Sequence, residues 1–260
     1  MDKDINDTIF QEERQEQILK ILEKENRVMT KDLQKKFNTT AVTIRKDLAI
    51  LEKEALLKRT YGGAIKVKKL YQGLALNKKE KLYLDEKLKI VKKAAQLISE
   101  GDTILLDSGS TTSLLAKEIK NKTNITVITN AINIATELLQ SDIEVILTGG
   151  VLLKESSTLV GSLADIVLKK LTTSKLFIGV DGIDFTAGLT TPNIMEANTS
   201  RIMMNISMET ILLVDSSKFG RRSLGVISEI NKIDKIITTK VLSEKEIKIF
   251  TDSEVEVTIV

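Results

Sequence analysis

From about residue 84 onward this 260-residue chain alternates short apolar runs with stretches of helical periodicity, and that alternation leaves few ways to fold. The runs are "TILLD", "ITVIT", "IEVILTGG", "KLFIGVDGID", "TILLVDSSK", "KIITT" and "VEVTIV". Among them lie the helix-like "STTSLLAKEI", "AINIATELLQ", "GSLADIVLKKL" and "MEANTSRIMMNIS", with "DEKLKIVKKAAQLIS" leading in and a capped helix start at residues 243–246. Strands apolar along their whole length are buried on both faces, and an intervening helix carries the chain back to start the next strand at the same end. The expectation is an open, parallel α/β sheet.

The first 68 residues follow another pattern. Ile18, Ile21 and Leu22 share a helical face, and after a break at "NRVM" Thr30 can cap a short helix carrying Leu33 and Phe37. Thr40 can cap a third, "AVTIRKDLAILEKE", whose Ile44, Leu48 and Leu51 face one core. In "ALLKRTYGGAIKV" two strand-like runs flank Gly62-Gly63, a pair able to take the positive φ values of a tight hairpin. Three helices and a hairpin make a winged helix-turn-helix. The organisation expected is a winged helix-turn-helix at 1–68, a linker at 69–83 and an α/β domain at 84–260.

Composition removes much chemistry. With neither cysteine nor histidine, the chain has no thiolate nucleophile, thiolate zinc site or neutral-pH imidazole base. No apolar stretch nears the roughly 20 residues needed to span a bilayer, and "MDKDINDTIFQEERQEQ" lacks the order of a signal peptide, so a cytoplasmic location without membrane contact is expected. The net charge of +3 is small, but basic residues crowd the stretch from Arg27 to Lys69. DNA's major groove admits one helix, whose side chains reach base edges while nearby cations hold phosphates. Thr40, Thr43, Arg45 and Lys46 lie on the outward part of the third helix, and Lys58, Arg59 and Tyr61 lie on the hairpin, where they can grip the backbone.

"DSGSTTSLLAKEI" turns a strand directly into a helix, crowding four hydroxyls around one glycine. The free N–H groups and positive end of such a helix can hold an anion. In open α/β sheets ligands collect at the carboxyl ends of strands. The candidates there are Asp107, Ser108, Gly109, Ser110, Thr111 and Thr112, then Thr129 and Asn130, Gly149 and Gly150, Asp181, Gly182 and Asp184, and residues 215–218 ending in Lys218. Singly, each is an ordinary turn or cap residue. Together they suit a polyol phosphate, with N–H and hydroxyl donors on the phosphate, carboxylates on sugar hydroxyls and Lys218 supplying charge.

"TTAVTIRKDLAILEKEALLKRTYGGAI" resembles the N-terminal signature of the DeoR family of bacterial transcriptional regulators, with Thr43, Ile44, Arg45, Asp47 and Leu48 matching and Lys46 replacing a more usual arginine. "LDSGSTT", "ITN", "TGG", "FIGVDGID…GLTT" and "LLVDSSKFG" resemble successive landmarks of the family's C-terminal sensor domain. The resemblance implies a sensor similar in fold to ribose-5-phosphate isomerases and glucosamine-6-phosphate deaminases, with a phosphorylated sugar held around Ser108–Thr112 and Asp181 and Lys218 in the pocket. It also implies a repressor of a carbohydrate-catabolism operon, acting as a homo-oligomer, dimer or tetramer, on double-stranded operator DNA. "VTIRKDLAILEK…YGGA" with "LFIGVDGID" is similar to members controlling N-acetylgalactosamine or galactosamine catabolism. The competing expectation is a sugar-phosphate isomerase or deaminase with an accessory basic head. Against it, the isomerase-type Asp-Gly-Ala-Asp-Glu reads here Asp181-Gly182-Ile183-Asp184-Phe185, an apolar ring replacing a carboxylate. Glu196 is a possible base by residue type, with a structural or ligand-orienting role expected instead. No catalytic residue, metal or cofactor is expected, and "GSTTSLLAK" lacks P-loop spacing.

Overall fold

The structure, a computed structural model, describes residues 10–54, 56–66 and 70–260. The expected head–linker boundary at 68/69 lies outside the described residues. The chain divides into two compact units, 1–69 and 70–260.

The first unit runs α1 (Gln11–Glu25), β1 (Arg27–Met29), α2 (Thr30–Phe37), α3 (Ala41–Lys53), β2 (Lys58–Thr60) and β3 (Gly63–Ile65). Ile18, Leu22, Leu33, Phe37, Ile44, Leu48 and Leu51 close one core, as their spacing requires. The "NRVM" break is more than a break: β1 pairs antiparallel with β3, making a three-stranded sheet in the order β1-β3-β2. That pairing explains the glycines differently from the expectation. Neither Gly62 nor Gly63 lies in the left-handed region. A Cβ on Gly63 would stand 1.8 Å from the Val28 carbonyl oxygen, so β1 can approach only a residue without a side chain. Thr30 does not cap α2 through its side chain; it is the first residue of that helix, and its N–H donates to Gly62 O at 2.7 Å.

The second unit continues with α4 (Leu76–Lys81), α5 (Leu84–Ala95), β4 (Thr103–Leu106), α6 (Ser110–Ile119), β5 (Thr126–Thr129), α7 (Ile132–Leu138), β6 (Glu144–Leu147), β7 (Val151–Leu153), β8 (Thr158–Val160), α8 (Ser162–Leu168), β9 (Thr173–Ile178), β10 (Gly182–Asp184), β11 (Gly188–Thr191), α9 (Ile194–Ile206), β12 (Ser207–Val214), β13 (Gly225–Ser228), β14 (Lys235–Thr238), α10 (Glu244–Asp252) and β15 (Glu256–Ile259). A seven-stranded sheet, ordered β15-β14-β12-β9-β4-β5-β6, has every pairing parallel. Successive strand residues point to opposite faces. Ile104, Leu106, Phe177 and Leu213 accordingly pack with α5, α6 and α7, whereas Leu105, Leu176, Ile178 and Leu212 pack with α8, α9 and α10. Two small antiparallel sheets, β7-β8 and β10-β11-β13, lie outside this frame. Residues 70–83, expected as a linker, belong to this unit: they form α4, and Leu76 N–H donates to Glu155 O at 2.8 Å. No helix among the described residues is long and apolar enough to cross a membrane.

The strand order places the site. From β4 the chain builds outward through β5 and β6, then returns to lay β9 on the other side of β4. Strand order reverses there, and the segments leaving β4 and β9 diverge and open a crevice.

Candidate functional site

In the first unit, the Thr40 hydroxyl accepts from Thr43 N–H at 3.2 Å and lies 2.9 Å from the Thr43 hydroxyl, fixing the start of α3. Arg45 and Lys46 are exposed on the next turn, while Ile44, Asp47 and Leu48 turn inward. Lys58 and Arg59 are exposed on β2, and Tyr61 stands fully exposed at the hairpin turn. The Arg59 N–H donates to Glu52 Oε1 at 2.8 Å, tying the wing to the end of α3. The structure thus gathers all seven expected nucleic-acid contacts onto one helix start and one wing. What orients the helix was missed: buried Asp47 accepts from Arg14 Nε at 2.6 Å and from Gln15 Nε2 at 3.3 Å, bolting α3 to α1.

In the second unit, a small solvent-open cavity lies at the β4/β9 crevice. Asp107, Ser108, Gly109, Ser110 and Thr111 line one side, Asp181 and Lys218 another. Gly109 provides no side-chain cap for α6, so the first-turn N–H groups are left to whatever enters. The remaining expected residues act behind this wall. Thr112 Oγ1 donates to Gly109 O at 3.0 Å, Thr129 Oγ1 to Leu106 O at 2.8 Å and Asn130 Nδ2 to Leu159 O at 3.2 Å. Gly150 lets β8 pass close by, since a Cβ there would stand 2.7 Å from Val160 O, and Gly149 precedes it in the same turn. Gly182 is buried in β10, and Asp184 Oδ1 accepts from the N–H groups of Thr186 and Ala187 at 2.8 Å, closing a turn. Phe185 packs edge-on against Phe250, with ring centroids 5.9 Å apart.

Other lining residues are Lys79, Ser156, Thr191 and Ser200, which sequence reading did not join to the site, and Glu196, for which a structural or ligand-orienting role was expected. Lys79, on α4, places Nζ 2.6 Å from Asp181 Oδ1. Glu196, at the start of α9, accepts from the Ser156 hydroxyl at 2.5 Å and the Thr191 hydroxyl at 3.3 Å. Thr191 also donates to Asp181 Oδ2 at 3.3 Å, and Ser200 to Asp107 Oδ2 at 3.4 Å.

Charge in the cavity is divided. Burial opposes ionisation of Asp181, but Lys79 and Lys218 outweigh it and hold the carboxyl below its usual range. Asp215, also buried, is held down by Lys218 and Lys87 and by hydrogen bonds from Ser217. Lys218 sits below its ordinary value through burial, which Asp215 and Asp181 only partly offset. Burial pushes Asp107 up to about 7, the Glu196 carboxylate adding to the push, against the Ser108 N–H at 2.7 Å. Its sign is unambiguous: between about 3.8 and 7 the folded state keeps a proton that the unfolded chain releases, so stability falls as pH rises through that window. Asp107→Asn is expected to flatten that fall, read as unfolding free energy of the full chain against pH; an unchanged slope would place the ionisation elsewhere.

A model described as the DeoR-like helix-turn-helix domain matches residues 14–70, and one described as the DeoR C terminal sensor domain matches residues 83–240. A putative aga operon transcriptional repressor of Escherichia coli O157:H7 is 35% identical, over 95% of this chain and 93% of its own length. A lactose phosphotransferase system repressor of Streptococcus mutans is 34% identical, over 87% of this chain and 91% of its own. Among solved structures, ribose 5-phosphate isomerase A from Methanocaldococcus jannaschii aligns over 52% of this chain and 54% of its own, with 22% identity and a TM-score of 0.40. With both units matched in order and the relatives aligned nearly end to end, the chain belongs to the DeoR family of transcriptional regulators.

Proposed function

We propose that this chain represses a carbohydrate-catabolism operon and is controlled by a phosphorylated sugar bound in the β4/β9 cavity. The observation that carries this reading is the uncapped start of α6 facing Lys79 and Lys218 across a cavity that also holds Asp107, Asp181 and Glu196. Helix N–H groups and ammoniums suit a phosphate, and carboxylates with hydroxyls suit a polyol. The aga operon repressor and the lactose phosphotransferase system repressor among its relatives support a sugar-derived effector. Operators of such proteins are symmetric, so the chain works as a homo-oligomer, a dimer or a tetramer. A coupling of about 1–3 kcal/mol between cavity and head changes operator occupancy roughly 5- to 150-fold, enough for control.

The test is operator affinity of the full chain, measured against salt and against a panel of sugar phosphates. A linear fall of log affinity with log salt and a response to at least one phosphate are expected; a flat salt dependence or silence to every phosphate sinks the reading. Arg45→Ala should weaken operator binding by about 1–3 kcal/mol and relax discrimination between bases, whereas Lys58→Ala should weaken all sequences alike and lower the salt slope by about 1.

The isomerase or deaminase reading is disfavoured by the ring of Phe185, packed on Phe250, and by the commitment of Asp184 to a backbone turn. Turnover of ribose-5-phosphate or an amino-sugar phosphate, lost in Asp181→Ala, would restore it.

A further inference from the structure

Residues 70–83 follow the head in sequence and are fastened across the sensor unit at several places, among them the carbonyls of Lys79 and Leu82, which accept from the buried Lys87 ammonium of α5. Tyr71 N–H donates to Arg222 O at 2.8 Å, and its ring lies 5.1 Å beneath the Arg221 guanidinium. Leu76 N–H donates to Glu155 O at 2.8 Å, next to the short helix α4, which packs against α6. Lys79 then reaches into the cavity to Asp181. The ties at Tyr71 and Leu76 are hydrogen bonds and a ring contact, whereas the tie at Lys79 is an ion pair that a ligand in the cavity can contest.

Asp181 sits between two cations. One carboxylate faces two ammoniums, Lys79 and Lys218, which disfavour each other. Lys218 has a second carboxylate, Asp215, attracting it more strongly than Asp181 does. Of the two, Lys79 is the one in direct ion-pair contact with Asp181, a contact that an anion entering the cavity can contest, and α4 already lies against the helix whose start is the anion site.

We propose that Lys79 is an effector-binding residue: a phosphate monoester at the start of α6 draws its ammonium away from Asp181, and strap 70–83 is the segment that registers occupancy of the cavity. This rests on the phosphate reading above and adds to it a specificity element and a route. A dianion outcompetes the Asp181 carboxylate for Lys79, whereas a neutral sugar does not. The strap changes its fastening when the site fills, and it is continuous in sequence with the DNA-binding head.

The experiment titrates the full chain with inorganic phosphate by calorimetry and follows backbone amide exchange in residues 70–83. Lys79→Gln should weaken phosphate binding about tenfold or more, the usual cost of losing a charge-assisted hydrogen bond. Lys79→Arg should restore most of it, and Lys81→Gln, on the exposed face, should leave it unchanged. Asp181→Asn should tighten binding roughly threefold or more, because the competing carboxylate is gone; a strut that merely held the strap in place would predict no gain. Phosphate should also alter exchange at the Tyr71 and Leu76 amides in the wild type and not in Lys79→Gln. Equal phosphate affinity in wild type and Lys79→Gln, or weaker binding by Asp181→Asn, overturns this inference and leaves the sugar-phosphate reading standing. If the wild type binds no phosphate at all, both fall.

Discussion

Asp47→Ala is expected to unfold the winged head at a much lower denaturant concentration than wild type, and operator binding should fail with it. Asp47 is 1% exposed and lies one turn inside the recognition helix, between the guanidinium of Arg14 and the amide of Gln15. Breaking a buried ion pair by removing one partner typically costs about 3–5 kcal/mol. A domain of this size has a total stability of only about 3–10 kcal/mol, so most of it is at stake. Asp47→Asn keeps an acceptor for Gln15 and should fall between the two. Urea unfolding of the full chain is the measurement: the head transition should move while the sensor transition stays, because the pair lies within the first of two compact units. A head that unfolds unchanged in Asp47→Ala would show that the exposed face of α3, and not its buried carboxylate, sets its stability.

The same residue marks the limit of what sequence could tell. In "TIRKDL" the period of Ile44, Leu48 and Leu51 identified the buried face, and Arg45 and Lys46 fell on the other. Asp47 matches the family signature, but nothing local marks it as buried, because its partner lies 33 residues away on another helix, a pairing no local pattern records. The parallel sheet was legible for the opposite reason: strands covered on both faces must be apolar throughout, so "TILL" and "KLFIGV" announce themselves locally. The start of α6 was legible as well, since strand, glycine and hydroxyls adjoin. Strand order was not, because it depends on which edge each crossover returns to. That order separates the residues into those that line the cavity, such as Ser110 and Asp181, and those behind it, such as Thr129 and Asn130, whose side chains satisfy buried backbone carbonyls. Polar residues after strands carry one signature for both roles. Lys79 was out of reach altogether: its stretch is charged and short of apolar periodicity, and only the fold brings it to Asp181.

Thr111→Glu should abolish the response to effector while leaving operator affinity in the absence of effector nearly intact, because the substitution removes no group of the winged head. Thr111 lies in the first turn of α6 and lines the cavity. Negative charge at a helix start is favourable by about 0.3–1 kcal/mol, which offsets part of the cost of a larger, charged side chain at a position only 6% exposed. Urea unfolding of the variant checks that the domain is folded before its response is read. The same carboxylate occupies the charge that the N–H groups would offer a phosphate, and it joins Asp107 and Glu196 on the wall of the cavity. Two negative groups about 4 Å apart repel by about 4 kcal/mol at an effective dielectric constant of 20, equivalent to several-hundred-fold or greater loss of phosphate affinity. Operator binding titrated with and without the responsive sugar phosphate reads both halves at once. Loss of operator binding in Thr111→Glu, with sugar phosphate still bound, would move this helix start from the reading of a ligand to the support of the DNA-binding state.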